Sequence, residues 1–215
     1  MKYPVQVNKS YYSLKSYLAP KRLSTYCLLL LEVASLDPKK ILEIGPGNYF
    51  LTKTLKLLNY NVKTLDLDPQ IKPDYVIDVS SDEILNLKKE GFDLVVASQV
   101  LEHIQYKDFV KTLRNLRTIT PRLLLTLPYA RAGAAFLYLE FVVPLLKKRV
   151  SLQREFYYKR KRHQFTGEHY WEIGKIGFTL KKIRKDISKA GWKITKSYFN
   201  RDHPYHYFLV LNKDE

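Results

Sequence analysis

The chain has 215 residues, 46% of them hydrophobic, and one cysteine, Cys27. That length fits a single elaborated domain with a real core and excludes a disordered or fibrous chain. The lone cysteine excludes a disulfide framework or a cysteine-rich metal site, and the first residues lack the apolar stretch of a signal peptide, so a reducing, cytoplasmic setting is expected. The formal net charge is +16 and uneven: Lys/Arg against Asp/Glu count 7 to 2 over residues 1–40, 11 to 11 over 41–128, 9 to 3 over 129–170 and 10 to 5 over 171–215. A neutral centre between basic flanks suits nucleic acid, anionic lipid or a phosphorylated substrate, or is simply a solvated lysine-rich surface.

Residues 1–36 form an N-terminal helical extension. Cys27 lies there in the apolar run "YCLLLLEV" and is expected in the core. From residue 39 strand-like and helix-like runs alternate. "KKILEIG" (39–45) is a short apolar strand, and Leu51, Leu55 and Leu58 give 50–60 helical spacing. "NVKTLDLD" (61–68) and "PDYVIDV" (73–79) are strands, and "DEILNLKKEG" (82–91) reads as a helix closed by Gly91. "FDLVVAS" (92–98) is a buried strand, 106–119 an amphipathic helix and 122–128 a strand ended by proline. After an insertion at 129–178, a helix over 179–191 opens at Thr179 and stops at Gly191, followed by strands at 192–200 and 205–212. The fold class is therefore α/β: a Rossmann-like, doubly wound, mostly parallel seven-stranded sheet with an antiparallel C-terminal hairpin.

The run "ILEIGPG" (41–47) puts an acid and two glycines at the end of the first strand. In such sheets ligands bind beyond the carboxyl ends of the strands, where glycines allow close backbone approach. Phe50 stands where a dinucleotide fingerprint needs its third glycine, and Glu43 would repel a pyrophosphate but suits a ligand carrying an ammonium group. Glu43-Ile44-Gly45-Pro46-Gly47 resembles motif I of class I S-adenosylmethionine-dependent methyltransferases. Asp66 in "TLDLD" is similar to the acid that binds both ribose hydroxyls in that family, and Asp78 in "VIDVS" to the acid at the adenine amino group. "FDLVVASQVLEHI" (92–104) resembles the fourth strand and turn of the small-molecule, "VLEH" branch, with Gln99 at the cofactor. The resemblance covers 37–128 well and the final hairpin more loosely. It implies S-adenosyl-L-methionine as cofactor, bound by Glu43, Gly45, Gly47, Asp66, Asp78 and Gln99. Tyr49 departs from it, standing where many members have a further glycine. Asp68 is expected to cap the turn before Pro69.

Methyl transfer from a sulfonium is an in-line displacement, so the protein mainly aligns the acceptor and takes up its proton. His103, just past the fourth strand, is the candidate base, with turn formation as its other reading; Glu102 is expected to be structural. "GEHYWEIG" (167–174) and "HPYHYF" (203–208) bring histidines and aromatic rings toward the acceptor side, making His169, Trp171 and His206 substrate candidates, with core packing as the other reading of Trp171. No metal site is expected, because the histidines lack ligand spacing. The acceptor expected is an O or N atom of a small molecule, such as a sugar or lipid-linked intermediate. An RNA acceptor using the basic flanks, or a non-catalytic accessory protein, are the alternatives.

The insertion carries "AGAAFLYLEFVVPLLKKRV" (132–150), then Arg154 and "KRKR" at 159–162. It is too short to span a bilayer. It reads as a lid or dimerisation helix interrupted by Pro144, with Phe136, Leu139 and Val143 buried, or as a peripheral element contacting an anionic membrane.

Overall fold

The computed structural model describes residues 3–6, 12, 19–130, 134–143, 148–157 and 161–214. Strands β1 (Lys40–Ile44), β2 (Asn61–Asp66), β3 (Tyr75–Val76), β4 (Leu94–Ser98), β5 (Arg122–Pro128), β8 (Trp192–Phe199) and β9 (His206–Lys213) form one sheet in the order β3-β2-β1-β4-β5-β9-β8. β1 lies between β2 and β4, parallel to both, with Ile41 opposite Val62 and Leu94. β9 runs antiparallel to β5 and β8, with Leu209 opposite Leu125. This is the mostly parallel seven-stranded sheet with an antiparallel C-terminal hairpin that the alternation of elements predicts.

The two sheet faces carry separate apolar layers, which explains the near-continuous hydrophobic strands. On one face α1 (Pro20–Leu36) and α2 (Phe50–Leu57) pack Leu29, Val33, Leu51 and Leu55 against Ile41, Val62, Val96 and Phe208. On the other, α3 (Tyr106–Ile119) and α4 (Leu180–Lys189) pack Leu113, Leu116, Ile183 and Ile187 against Leu42, Val95, Leu123 and Leu209. α4 begins at Thr179, whose hydroxyl accepts from the Lys182 amide at 3.2 Å.

Residues Asp82–Glu90 form the helix closed by Gly91 that the sequence predicts, in 3-10 form; their inward side chains, Ile84 and Leu87, are three apart, the repeat of that helix. Two sequence expectations need correction. Cys27 is exposed. The buried stripe of α1 runs through Thr25, Leu29, Glu32 and Val33, which turns Cys27 and Leu31 to solvent.

The second correction is the insertion. Among its described residues no helix forms: β6 (Ala134–Val143) and β7 (Lys148–Tyr157) make a two-stranded antiparallel sheet of their own. Leu139 faces Leu152, and Ala135 faces Phe156. With a period of two along each strand, Leu137, Leu139, Phe141, Leu152 and Phe156 share one face, and all five are exposed. Leu139 is therefore not buried as a lid residue would be. The side chains of Phe136 and Val143, Pro144, and Lys159 and Arg160 lie outside the described residues. Among the described residues, no helix is long and apolar enough to cross a membrane.

Candidate active site

The carboxyl ends of β1, β2 and β4 meet at one cavity of about 440 Å³. At its floor the chain leaves β1 through Gly45, whose amide donates to the Leu65 carbonyl at 2.8 Å. Gly45 has φ +69°, and a Cβ there would come within 2.6 Å of Val100 Cγ2; at Gly47, with φ +54°, it would approach the Tyr12 ring to 3.1 Å. Gly45 thus meets a demand for backbone shape and for space, while at Gly47 the backbone shape favours glycine and an added Cβ would press on the Tyr12 ring.

Glu43 lies beneath this turn, buried, with the Thr52 hydroxyl donating to its carboxylate. Burial pushes its carboxyl up to about 7, partly opposed by Thr52 and by the charge of Lys56. Asp66, at the end of β2, accepts from the Asp68 amide at 2.9 Å, and burial raises its carboxyl. Asp78 accepts from the Ser80 amide and hydroxyl at 2.9 and 2.7 Å. Gln99 follows β4 with φ +56° and is tied to β5: its amide donates to the Thr126 carbonyl at 3.1 Å, and its side chain to Thr126 Oγ1 at 3.2 Å. All six residues expected at the cofactor line this one cavity. Asp68 also lines it while capping the turn Pro69–Ile71 through the Gln70 amide. Tyr49 does not line the cavity; it adopts the left-handed conformation natural to glycine, and its hydroxyl is buried beside Thr64.

The facing wall comes from elements distant in sequence. His103, His169 and His206 line it together with Arg22, His203 and Tyr205. The Nδ1 of His103 lies 2.5 Å from Gln6 Oε1 and 3.1 Å from the Glu168 carbonyl. Both partners are acceptors, so Nδ1 carries the proton and Nε2 keeps its lone pair. Burial and the charge of His169 push His103 down to about 4. His169 lies with Nδ1 3.1 Å from Glu172 Oε1, which also accepts from the Tyr205 hydroxyl at 2.6 Å. Burial would lower His169, but the Glu172 hydrogen bond and the charge of Glu102 raise it on balance. The Nδ1 of His206 is 3.0 Å from Thr25 Oγ1 on α1.

Trp171 is not at the substrate surface. It is fully buried, packs against Tyr106 and Phe109, and donates from Nε1 to the Ile104 carbonyl at 3.1 Å. Its ring holds the turn carrying His103 from behind. The pocket residues Gln6, Tyr12 and Arg22 carried no sequence signal, because their contacts with the strand ends are entirely long-range. His203 and Tyr205 were visible only as part of an aromatic, histidine-bearing string.

Glycine turn, strand-end acids and sheet order together define a class I S-adenosylmethionine-dependent methyltransferase. The sequence matches the family model described as a methyltransferase domain over residues 18–197, and the chain belongs to that family. No curated protein sequence matches the chain closely enough to count as a relative. Among solved structures it is similar to the 1,6-didemethyltoxoflavin-N1-methyltransferase of Burkholderia thailandensis, solved with 1,6-didemethyltoxoflavin and S-adenosylhomocysteine. That match has a TM-score of 0.59 at 14% identity and covers 96% of this chain and 83% of that one. It is also similar to an S-adenosylmethionine-dependent methyltransferase of Clostridium acetobutylicum (TM-score 0.61, 12% identity, 96% and 97% covered). The small RNA methyltransferase HEN1 shares the fold at TM-score 0.57 and 12% identity, covering 100% of this chain and 27% of that one. At these identities the likeness is one of fold.

Proposed function

We propose that the chain transfers the methyl group of S-adenosylmethionine to an oxygen or nitrogen atom of a small-molecule acceptor. The observation that carries this reading is one cavity with two unlike walls: strand-end acids and glycines on one side, histidines and Tyr205 on the other. A concave site with a few convergent polar groups is the usual form of a small-molecule site. The cofactor wall holds the donor, and the histidine wall faces the position from which an acceptor must approach in line. The sulfonium leaves readily, so alignment is the main task. His103, held neutral, orients a donor group on the acceptor more readily than it removes a proton.

Asp66→Ala tests the cofactor wall. Loss of two ribose hydrogen bonds to a carboxylate should weaken S-adenosylhomocysteine binding by about 1–3 kcal/mol, roughly 5–150-fold by calorimetry. Unchanged affinity would remove Asp66 from the site. For the acceptor, labelled methyl transfer into fractionated cell extract should enter nuclease-resistant small molecules. Label in RNA, with binding that falls steeply as salt rises, would favour the second reading, which the +16 charge and the fold shared with HEN1 support.

We also infer that the acceptor is met at an anionic lipid surface. Five exposed apolar side chains share one face of the β6–β7 hairpin, and the surrounding residues 129–170 carry 9 Lys/Arg against 3 acids. Apolar area next to basic charge is what such a surface attracts, at about 1 kcal/mol per Lys or Arg. Anionic vesicles should sediment the protein and neutral vesicles should leave it in solution. Phe141→Asp with Leu139→Asp should release it. Equal sedimentation with both vesicle types, or none with either, would sink the idea.

A further inference from the structure

We propose that Glu102, His103 and His169 form a binding site for one divalent first-row transition-metal ion, opening toward the cavity. A carboxylate oxygen of Glu102 and a ring nitrogen of each histidine lie within 4.8 Å of one another. Glu102 is fully buried, and neither of its carboxylate oxygens has a hydrogen-bond partner among the described residues. A carboxylate buried in that condition is costly unless a cation or a proton compensates it. Among the described residues its ion-pair partner is His169, whose Nε2 is 4.0 Å from Glu102 Oε1, beyond hydrogen-bond reach.

The histidines are already oriented as ligands are. Metal-bound imidazoles use one nitrogen for the ion while the other donates to a carbonyl or carboxylate. Nδ1 of His103 is engaged by the Glu168 carbonyl and Gln6 Oε1, and Nδ1 of His169 by Glu172 Oε1. The two rings stand 5.0 Å apart between centroids and nearly perpendicular, at 80°. The segments that carry them are pinned together, since the Tyr170 amide donates to the Glu102 backbone carbonyl at 2.8 Å. Ligand atoms around a tetrahedral zinc ion are about 3.3 Å apart, given metal–nitrogen bonds of about 2.0–2.1 Å. Small inward side-chain movements therefore close the site. Two nitrogens and one oxygen suit zinc, cobalt, iron or manganese rather than calcium or magnesium, which prefer oxygen alone. Three protein ligands leave coordination positions open, and His103 and His169 both line the cavity, so those positions face the acceptor. An acceptor oxygen or nitrogen bound there would contact the ion instead of His103. That last step rests on the methyl-transfer reading; the ion site does not.

The test is metal uptake, read independently of methyl transfer. The full chain, freed of metal by a chelator and carrying Cys27→Ser to remove an exposed thiol, is titrated with Co²⁺ by visible absorption and with Zn²⁺ by calorimetry. One ion per chain is expected, with Zn²⁺ displacing Co²⁺ and raising the melting temperature. Glu102→Gln and His169→Ala should each weaken uptake at least tenfold. Glu172→Ala, which removes the acceptor at His169 Nδ1, should weaken it by about 10–100-fold. A melting curve for each variant shows that it is folded. Absence of stoichiometric uptake by the parent protein would overturn the proposal. So would uptake unchanged in Glu102→Gln and His169→Ala, or uptake lost only in His206→Ala, which would place the ion at the His203–His206 pair. In those cases an imidazolium at His169, set between Glu102 and Glu172, is what compensates the buried acid.

Discussion

Trp171→Ala should cost the folded state about 3–5 kcal/mol, the range for removing a large aromatic side chain from a core. In a domain of this size that is a fall of roughly 6–20 °C in melting temperature. The ring is fully buried among Tyr106, Phe109 and Phe178, so its removal leaves a void that three other rings border. It also strands the Ile104 carbonyl, which now accepts from Trp171 Nε1. Trp171→Phe keeps most of the volume and loses mainly that hydrogen bond, so about 1–2 kcal/mol is expected. The pair of variants separates packing from recognition. An acceptor contact would raise KM in both variants while their melting curves stayed with the parent's. Packing lowers the melting temperature in the order Ala below Phe below Trp. Melting curves that coincide for all three would return Trp171 to the acceptor site. Activity should fall in Trp171→Ala as well, because the tryptophan follows His169 by two residues and supports the turn beyond His103.

The cofactor wall was legible because each of its residues sits at a strand end. A short apolar run followed by an acid or glycine marks Glu43, Gly45, Asp66 and Asp78 with no knowledge of packing, and the family resemblance supplies their roles and adds Gln99 just past β4. The opposite wall obeys no local rule. Gln6 reaches His103 across 97 residues, and Tyr205 reaches Glu172 across 33. Trp171 was ambiguous because an aromatic residue beside a polar string serves equally as a core anchor or a stacking surface. Cys27 was misplaced because the run around it is apolar on every side; only the docking of α1 decides which stripe turns inward. The hairpin was missed for a similar reason. "AAFLYLEFVV" is an almost unbroken apolar run, without the alternation that marks a half-exposed strand. Its partner, Lys148–Tyr157, does alternate, with Val150, Leu152 and Phe156 at even spacing, but reads first as a block of charge.

Glu43→Gln should make the cofactor-free protein more stable at pH 8 and at the same time a poorer binder of S-adenosylhomocysteine. Burial holds the Glu43 carboxyl at about 7 in the folded chain, against an ordinary value of 4.5. A raised carboxyl means that the folded state binds more protons than the unfolded state between those two values. Stability therefore falls as pH rises through that window, and above it the ionised side chain costs the fold about 3 kcal/mol. Glutamine removes that cost and still accepts the Thr52 hydroxyl hydrogen bond. The gain over the parent should approach about 3 kcal/mol at pH 8 and vanish below about pH 4, under the ordinary value, where the parent is protonated in both states. Glu102, also pushed up to about 7 by burial, adds a pH dependence of the same sign to both proteins and cancels in the difference. The cost makes sense if the charge has a ligand to meet. A carboxylate under the glycine turn is complementary to the ammonium group of the methionine moiety, so binding should draw the Glu43 carboxyl down and release a proton near neutral pH. Calorimetry in two buffers of different ionisation enthalpy reads that proton directly. Proton release should be present in the parent and absent in Glu43→Gln, with the affinity gap widest at pH 8. A variant that binds as tightly as the parent at pH 8 would show that Glu43 shapes the strand end and does not touch the cofactor's charge. A variant no more stable than the parent at pH 8 would show that the buried acid is already compensated without ligand.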